Sequence, residues 1–327
     1  MKRLPAFAAA ACFAIAPMAS ANELALAYFM GPNHPMNAAV FTPFAERLAE
    51  VSGGELTVRQ FPGGALNSVP PQQYSILLDG VTDIAFHLPG YTAQIFPVTT
   101  SITTPGICTD AVNCTEALWR AYDVIEAEFD AQILALWAND APAMFTTDTP
   151  VRTLEDMAGL VVTVTTAQDI PFIEALGASA VSQPVSVINQ NLTNGVVDAV
   201  SVDPSAALSF RLHEPASYLT VGYPSGGNAF VLLMNRGIYD GLTDQERAWV
   251  DEASGQWLSM QGAEAYRAVA QRGIEVSREN GVEIIELTDE ERARWAEAMA
   301  PATDAWLESA VGQGLSGTDV RALMTGE

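Results

Sequence analysis

Residues 153–204 read TLEDMAGLVVTVTTAQDIPFIEALGASAVSQPVSVINQNLTNGVVDAVSVDP. Short apolar, β-branched runs (VVTV at 161–164, AVSV at 199–202) are separated by stretches with helical spacing, and glycines at 159, 177 and 195 mark the corners. The rhythm is strand-helix-strand-helix-strand. Two parallel strands need a crossover of a dozen or more residues, usually a helix, so this stretch predicts an α/β unit built on a parallel sheet.

The same alternation extends towards the N-terminus. LALAYFM (24–30) reads as a first strand, and 35–51 as a helix with Phe41, Phe44 and Leu48 on one face. Ser52-Gly53-Gly54 ends that helix before the strand LTVRQF (56–61), and residues 81–88 make a third strand. A helix near 115–129, a strand at 133–137 and extended chain at 142–148 lead into the opening block. Beyond Pro204, YLTV (218–221) and AFVLLMN (229–235) are strands on either side of a glycine-rich turn. The C-terminal third reads as helical, with capping boxes at Thr243–Glu246 and Thr288–Glu291. No proline interrupts 244–279, so an unbroken helix there would be roughly 50 Å long, enough to lie across two lobes.

The first 21 residues combine Lys2 and Arg3, an apolar run and the small-residue end Ala19-Ser20-Ala21, a signal-peptide pattern with cleavage before Asn22. The remaining chain carries 13 arginines and no lysine against 39 acidic side chains, a formal charge of −26. So acidic a surface argues against nucleic acid or an anionic membrane as partner. Export places Cys108 and Cys114, in CTDAVNC, in an oxidising compartment, where a small-loop disulfide is the expected state. Asp110 alone would not complete a metal site with them.

Enzymatic signatures are scarce. Gly222 to Gly227 (GYPSGG) is out of register for a nucleophile elbow, and no phosphate-binding loop or HExxH helix occurs. The three histidines, at 34, 87 and 213, have no metal partner at helical or strand spacing. The sequence therefore predicts no catalytic residues, no metal and no cofactor.

What does recur is an ordered series of short motifs: HP after the first strand, SGGELTV with FPGGAL, DGVTDIA, TLEDMAGLVVTV, LGAS and NGVVDAV. In this order and spacing they resemble the DctP-type solute-binding proteins of tripartite ATP-independent periplasmic (TRAP) transporters, along nearly the whole chain from Leu24. The resemblance implies a two-lobed, periplasmic-binding-protein-like (type II) α/β fold with a ligand cleft between the lobes and a long helix spanning both. It implies lobes made of 22–140 with 229–268 and of 141–228 with 269–327. It also implies a monomeric, non-enzymatic receptor that closes over a small molecule by hinge motion and delivers it to TRAP membrane subunits. The alternatives are a secreted enzyme or a diverged sensory binding protein on the same fold.

The resemblance fails at one informative position. The family pattern G-L-K-I-R-V falls on Gly159 to Val164, so its arginine, which clamps a ligand carboxylate, is Thr163 here. A threonine hydroxyl cannot replace a bidentate guanidinium. A second family arginine falls near Ala143-Met144. The ligand is therefore neutral or cationic, or Arg59, Arg152 or Arg211 reaches the cleft from elsewhere, or binding has decayed. On the same resemblance the ligand-binding candidates are His34, His87, Tyr91, Asn139, Thr163, Thr166, Asp203 and Asn228. Asn33, Asp140 and Thr165 lie beside them, and Trp137 is either core or a stacking wall.

Overall fold

A computed structural model describes residues 22–309 and 314–327. The expected signal peptide, 1–21, lies outside the described residues. Two sheets form. The first orders its strands β2-β1-β3-β10-β4, from β1 (Asn22–Ala27), β2 (Leu56–Phe61), β3 (Ile84–His87), β4 (Ala131–Ala138) and β10 (Ala229–Asn235). Here β1, β2 and β3 run parallel, while β10 runs antiparallel to both β3 and β4. The second orders β11-β9-β5-β8-β6-β7, from β5 (Ala143–Thr146), β6 (Val161–Val164), β7 (Ser179–Ser182), β8 (Ala199–Val202), β9 (Tyr218–Val221) and β11 (Glu283–Glu286). The opening stretch folds as read: β6, β7 and β8 are mutually parallel, joined through the helices Ile170–Ala175 and Ile188–Thr193.

Each sheet has its own core, and the chain passes between them repeatedly. The crossovers are 139–142 after β4, 222–228 before β10, the helix Gln256–Glu279, and the C-terminal segment. Helix Asp289–Ser309 starts on the second lobe through Trp295 and Met299. By Leu307 it has reached the first lobe's core, where Val320 and Met324 of the last helix also pack.

The expected 244–279 helix is broken. Ser254 is extended and Gly255 has φ +97° and ψ −156°, backbone that essentially only glycine adopts, while the Gly255 amide donates to the Leu134 carbonyl at 2.6 Å. The result is a helix Asp244–Ala253 followed by Gln256–Glu279. The second piece, roughly 36 Å at 1.5 Å per residue, still spans both lobes. Two glycines on its inner face permit this. A Cβ on Gly262 would sit 3.0 Å from Trp137 of the first lobe, and one on Gly273 would sit 2.0 Å from the Pro204 carbonyl oxygen of the second.

The Thr243–Glu246 capping box forms, with the Glu246 amide donating to Thr243 Oγ1 and the Thr243 amide to Glu246 Oε2. At Thr288 only half does: the Glu291 amide bonds Thr288 Oγ1 at 3.2 Å, but the Glu291 carboxylate turns away to the Leu154 amide and Arg294. The C-terminal third is also not wholly helical, since β11 adds to β9. Cys108 and Cys114 are disulfide-bonded. Asp110 between them caps the following helix, accepting from the Val112 and Asn113 amides at 2.9 and 3.0 Å.

Candidate functional site

Between the lobes lies a narrow cleft with about 40 Å³ of free space at its inner end, and its outer mouth is lined by Pro32, Asn33, Pro35, Leu208, Ser209, Ala268, Val269 and Arg272. Its first-lobe wall is aromatic: Phe29, Phe86, Phe230 and Tyr266, with Met30 and Leu88. Phe230 links these rings, stacked on Phe86 at 5.6 Å and on Tyr266 at 5.1 Å. The second lobe contributes Thr165, Val185, Val202, Asp203, Ser205 and Phe210. Packing of this kind, one or so kcal/mol per aromatic pair, makes the wall rigid as well as apolar.

Five of the eight sequence candidates line the cavity: His34, Tyr91, Asn139, Asp203 and Asn228. His34 also bonds locally, since its Nδ1 accepts from the Met36 amide at 3.3 Å and its ring meets Tyr266 edge-on. That bond leaves the proton on Nε2, and burial pushes the imidazole down to about 4, so it is neutral near pH 7. The Tyr91 and Tyr266 hydroxyls are pushed upward by burial and stay protonated.

Asn139, at the end of β4, is the organising residue. Its backbone amide donates to the Asn228 carbonyl at 3.1 Å, and its Oδ1 accepts the Asn228 amide at 2.6 Å. Its Nδ2 reaches across to Asp203 Oδ2 at 2.7 Å. Gly227 makes this close crossing possible, because a Cβ there would lie 1.9 Å from the Asn139 carbonyl oxygen. Asp203 Oδ1 accepts the Ser205 amide at 3.0 Å. Burial outweighs these bonds and raises the Asp203 carboxyl above its ordinary range. Asn228 Oδ1 is buried with no donor.

Three candidates lie elsewhere. His87 is fully buried in the first lobe, stacked on Tyr74 at 5.4 Å, with its imidazole pushed down to about 3 by burial. Thr166 donates to Asp169 Oδ2 at 2.7 Å, and its methyl group faces Gly90 across the lobe interface. Thr163 is buried beside Gln183, with Oγ1 3.4 Å from Gln183 Oε1. It shares a strand face with Thr165, which does line the cavity, but lies two residues further back, roughly 7 Å along the strand. An arginine could span that distance; threonine does not.

The proposed substitutes for the lost arginine do not arrive. Arg59 pairs with Glu23, Arg152 with Glu283 and Arg211 with Glu214, all on the surface. Arg272, at the mouth, is held by Glu275 and Glu279. Among the described residues lining the cavity, Asp203 is the one formally charged side chain. Trp137 is core, fully buried under Phe86 and Phe230. Asp140 turns away to the Ala111 and Ala141 amides, its carboxyl pushed up to about 6 chiefly by burial.

The sequence candidates did not include the apolar and aromatic lining, Phe29, Met30, Phe86, Leu88, Val185, Val202, Phe210, Phe230 and Tyr266, nor Ser205. For Tyr266 a signal existed: it lies on the helix face of Gly262 and Gly273, at helical spacings of four and seven.

Comparison with known proteins agrees with this architecture. The family model for bacterial extracellular solute-binding protein, family 7 (DctP), matches residues 26–309. The protein named outer membrane transporter protein TsaT, from Comamonas testosteroni, is 26% identical over 327 residues, covering 97% of this chain and 95% of that protein. A marine metagenome TRAP solute-binding protein specific for aromatic acid ligands, solved with 3-hydroxybenzoate, is 25% identical with a TM-score of 0.88, covering 94% of this chain and 97% of that one. A TRAP solute-binding protein from Rhodoferax ferrireducens, solved with copurified benzoate, is 26% identical with a TM-score of 0.87, covering 93% and 98%. With a family match across most of the chain and the same two-lobed fold, this chain belongs to the family 7 extracellular solute-binding proteins and is a DctP-type TRAP solute receptor.

Proposed function

We propose that this receptor works in the periplasm after export, as a monomer without enzymatic activity, and carries a small aromatic solute that it holds without a carboxylate clamp. One observation carries the reading: the interlobe cavity is walled by Phe29, Phe86, Phe230 and Tyr266, and among the described residues no arginine lines it. An apolar cavity with a few convergent polar groups is the usual form of a small-molecule site. The relatives solved with 3-hydroxybenzoate and benzoate support an aromatic ring in this place. The loss of the clamp at Thr163 argues against their acid group. His34, Tyr91, Asn139, Thr165, Asp203 and Asn228 are the proposed polar contacts. Thr163 and Thr166 support the strand and the lobe interface instead.

The lobes are proposed as 22–140 with 229–268 and 141–228 with 269 to about 302, the tail returning to the first lobe. Closure over the solute would present the shape that TRAP membrane subunits read. A thermal-shift screen of aromatic solutes of each charge, followed by calorimetry and recovery of the bound compound, tests this. Saturable stabilisation by an aromatic compound recovered unchanged is the expected result. Chemical turnover, or stabilisation by non-aromatic compounds alone, would overturn it.

A further inference from the structure

We infer that the solute is an aryl-alkyl ammonium ion, its positive charge held by Asp203 and Asn228 Oδ1 and its ring packed on the Phe230–Tyr266 wall. This rests on the aromatic-solute reading above and specifies the charge.

The inference starts from an imbalance. Asp203 is 5% exposed, and each neighbour that bonds it is neutral: the Asn139 side-chain amide, and the Ser205 amide and hydroxyl. Its own backbone amide reaches it too, so every partner of the carboxylate is a neutral dipole and none offsets its charge. No cation of the chain lies among the described residues lining the cavity. A buried carboxylate without a counter-ion is costly unless something positive joins it.

A second, independent observation lies on the same wall. Asn228 is 8% exposed and lines the cavity, and its Oδ1 is buried without a donor. Asn139 links the two residues, bonding the Asp203 carboxylate through Nδ2 and the backbone amide of Asn228 through Oδ1. An ammonium group supplies up to three N–H donors and the missing charge, the complement of a carboxylate and an unpaired amide oxygen. Aromatic faces around it add cation–π attraction. A carboxylate would meet the like charge of Asp203, and an alcohol would leave that charge uncompensated. Asp203 also turns the chain at the start of the short helix after Ser205, and this local role explains its bond to the Ser205 amide. It does not explain the orphaned Asn228 oxygen or the lack of a counter-ion.

The test uses three compounds of nearly one shape: phenethylamine, 2-phenylethanol and phenylacetate, titrated calorimetrically into the mature chain at pH 7. Phenethylamine is expected to bind about 10- to 100-fold more tightly than 2-phenylethanol, the usual value of a hydrogen bond to a charged group, with phenylacetate weakest. Asp203→Asn keeps the shape and should bring the amine-to-alcohol affinity ratio down to about one. A purely local structural role would lower the melting point without altering the amine-to-alcohol ratio. Should Asp203→Asn fail to fold, the selectivity of the unmodified protein decides alone. Equal or tighter binding of the alcohol or the acid overturns the ammonium assignment and leaves the aromatic receptor standing. If no aromatic compound of any charge binds while other solutes do, the aromatic-solute reading given above falls with it.

Discussion

Replacing Asp169 by asparagine should make the protein more stable at pH 8 and leave its stability unchanged near pH 4. Asp169 follows β6 at the lobe interface. Its Oδ2 accepts the Thr166 hydroxyl at 2.7 Å, while Oδ1 is buried without a hydrogen bond of good geometry. Burial pushes the carboxyl from 3.8 up to about 6, against the pull of the Thr166 and Thr103 hydroxyls. The folded value lies above the unfolded one, so the folded state holds the proton more tightly between these limits. Stability from this group is therefore intact below pH 4, declines as pH rises to 6, and is fully lost above. A rise from 3.8 to about 6, at about 1.4 kcal/mol per pH unit, comes to about 3 kcal/mol. An asparagine has no charge to desolvate and can still accept from Thr166. The variant should then melt roughly 5 °C above the parent at pH 8. The acidic surface as a whole also weakens the fold as pH rises, so the difference between the two melting curves, with exposed Asp79→Asn as the control for general charge, is the quantity that matters. Parallel curves for Asp169→Asn and its parent across pH 4–8, or a less stable variant at pH 8, would refute the reasoning.

Other substitutions probe closure and the hinge. A Cβ on Gly90 would sit 2.0 Å from Thr166 Cγ2 across the interface, so Gly90→Ala should weaken solute binding about 10- to 100-fold by calorimetry, as expected for a 1–3 kcal/mol overpacking cost on the closed state. Thr166→Ser, which removes that methyl group and keeps the Asp169 bond, should restore most of the loss; no rescue would place the fault outside this contact. Gly273→Ala drives a Cβ to within 2.0 Å of the Pro204 carbonyl and should cost about 1–3 kcal/mol in denaturant unfolding, whereas exposed Gly281→Ala, where the backbone is left-handed, would fail only through local strain. Cys108→Ser with Cys114→Ser should lower stability by about 2 kcal/mol, the loop-closure entropy of so short a ring, with no further loss on adding reductant.

The sequence carried the local geometry well and the convergence poorly. β6, β7 and β8 were legible because each strand, crossover helix and glycine corner lies within fifty residues and obeys a simple period. β9 and β10 were legible for the same reason. β11 was not: Glu283–Glu286 is four residues long and becomes a strand only because β9 offers an open edge. The break falls at Gly255, a glycine in a stretch free of proline, so the absence of proline did not reveal it. The cavity wall depends on residues far apart in the chain, such as Phe29, Phe86, Phe230 and Tyr266, and no local pattern announces that four rings will meet. His87 shows the reverse error. It ends a cleft-directed strand as expected, yet its side chain points into the first lobe between Tyr74 and Phe96.

Thr163 has a narrower meaning than its place in the motif implied. It removes the arginine without itself becoming a contact, because a short side chain two residues behind Thr165 stays within the sheet, against Gln183. The polarity of the site is then set by what remains, Asp203 and Asn228, and both are bonded to Asn139. Asn139 also stands on a lobe crossover, paired with the returning strand at Asn228 and pressed against Gly227. On the proposed site, recognition and closure would share one hydrogen-bonded unit. On that proposal, a solute that engages Asp203 and Asn228 would tighten the crossover as well, whereas one that binds only the aromatic wall would leave the hinge as it was. On this reasoning Asn139→Ala should cost both affinity and the compaction that solute produces in small-angle scattering. Loss of affinity with compaction intact would separate the two roles and show that the hinge closes independently of the site.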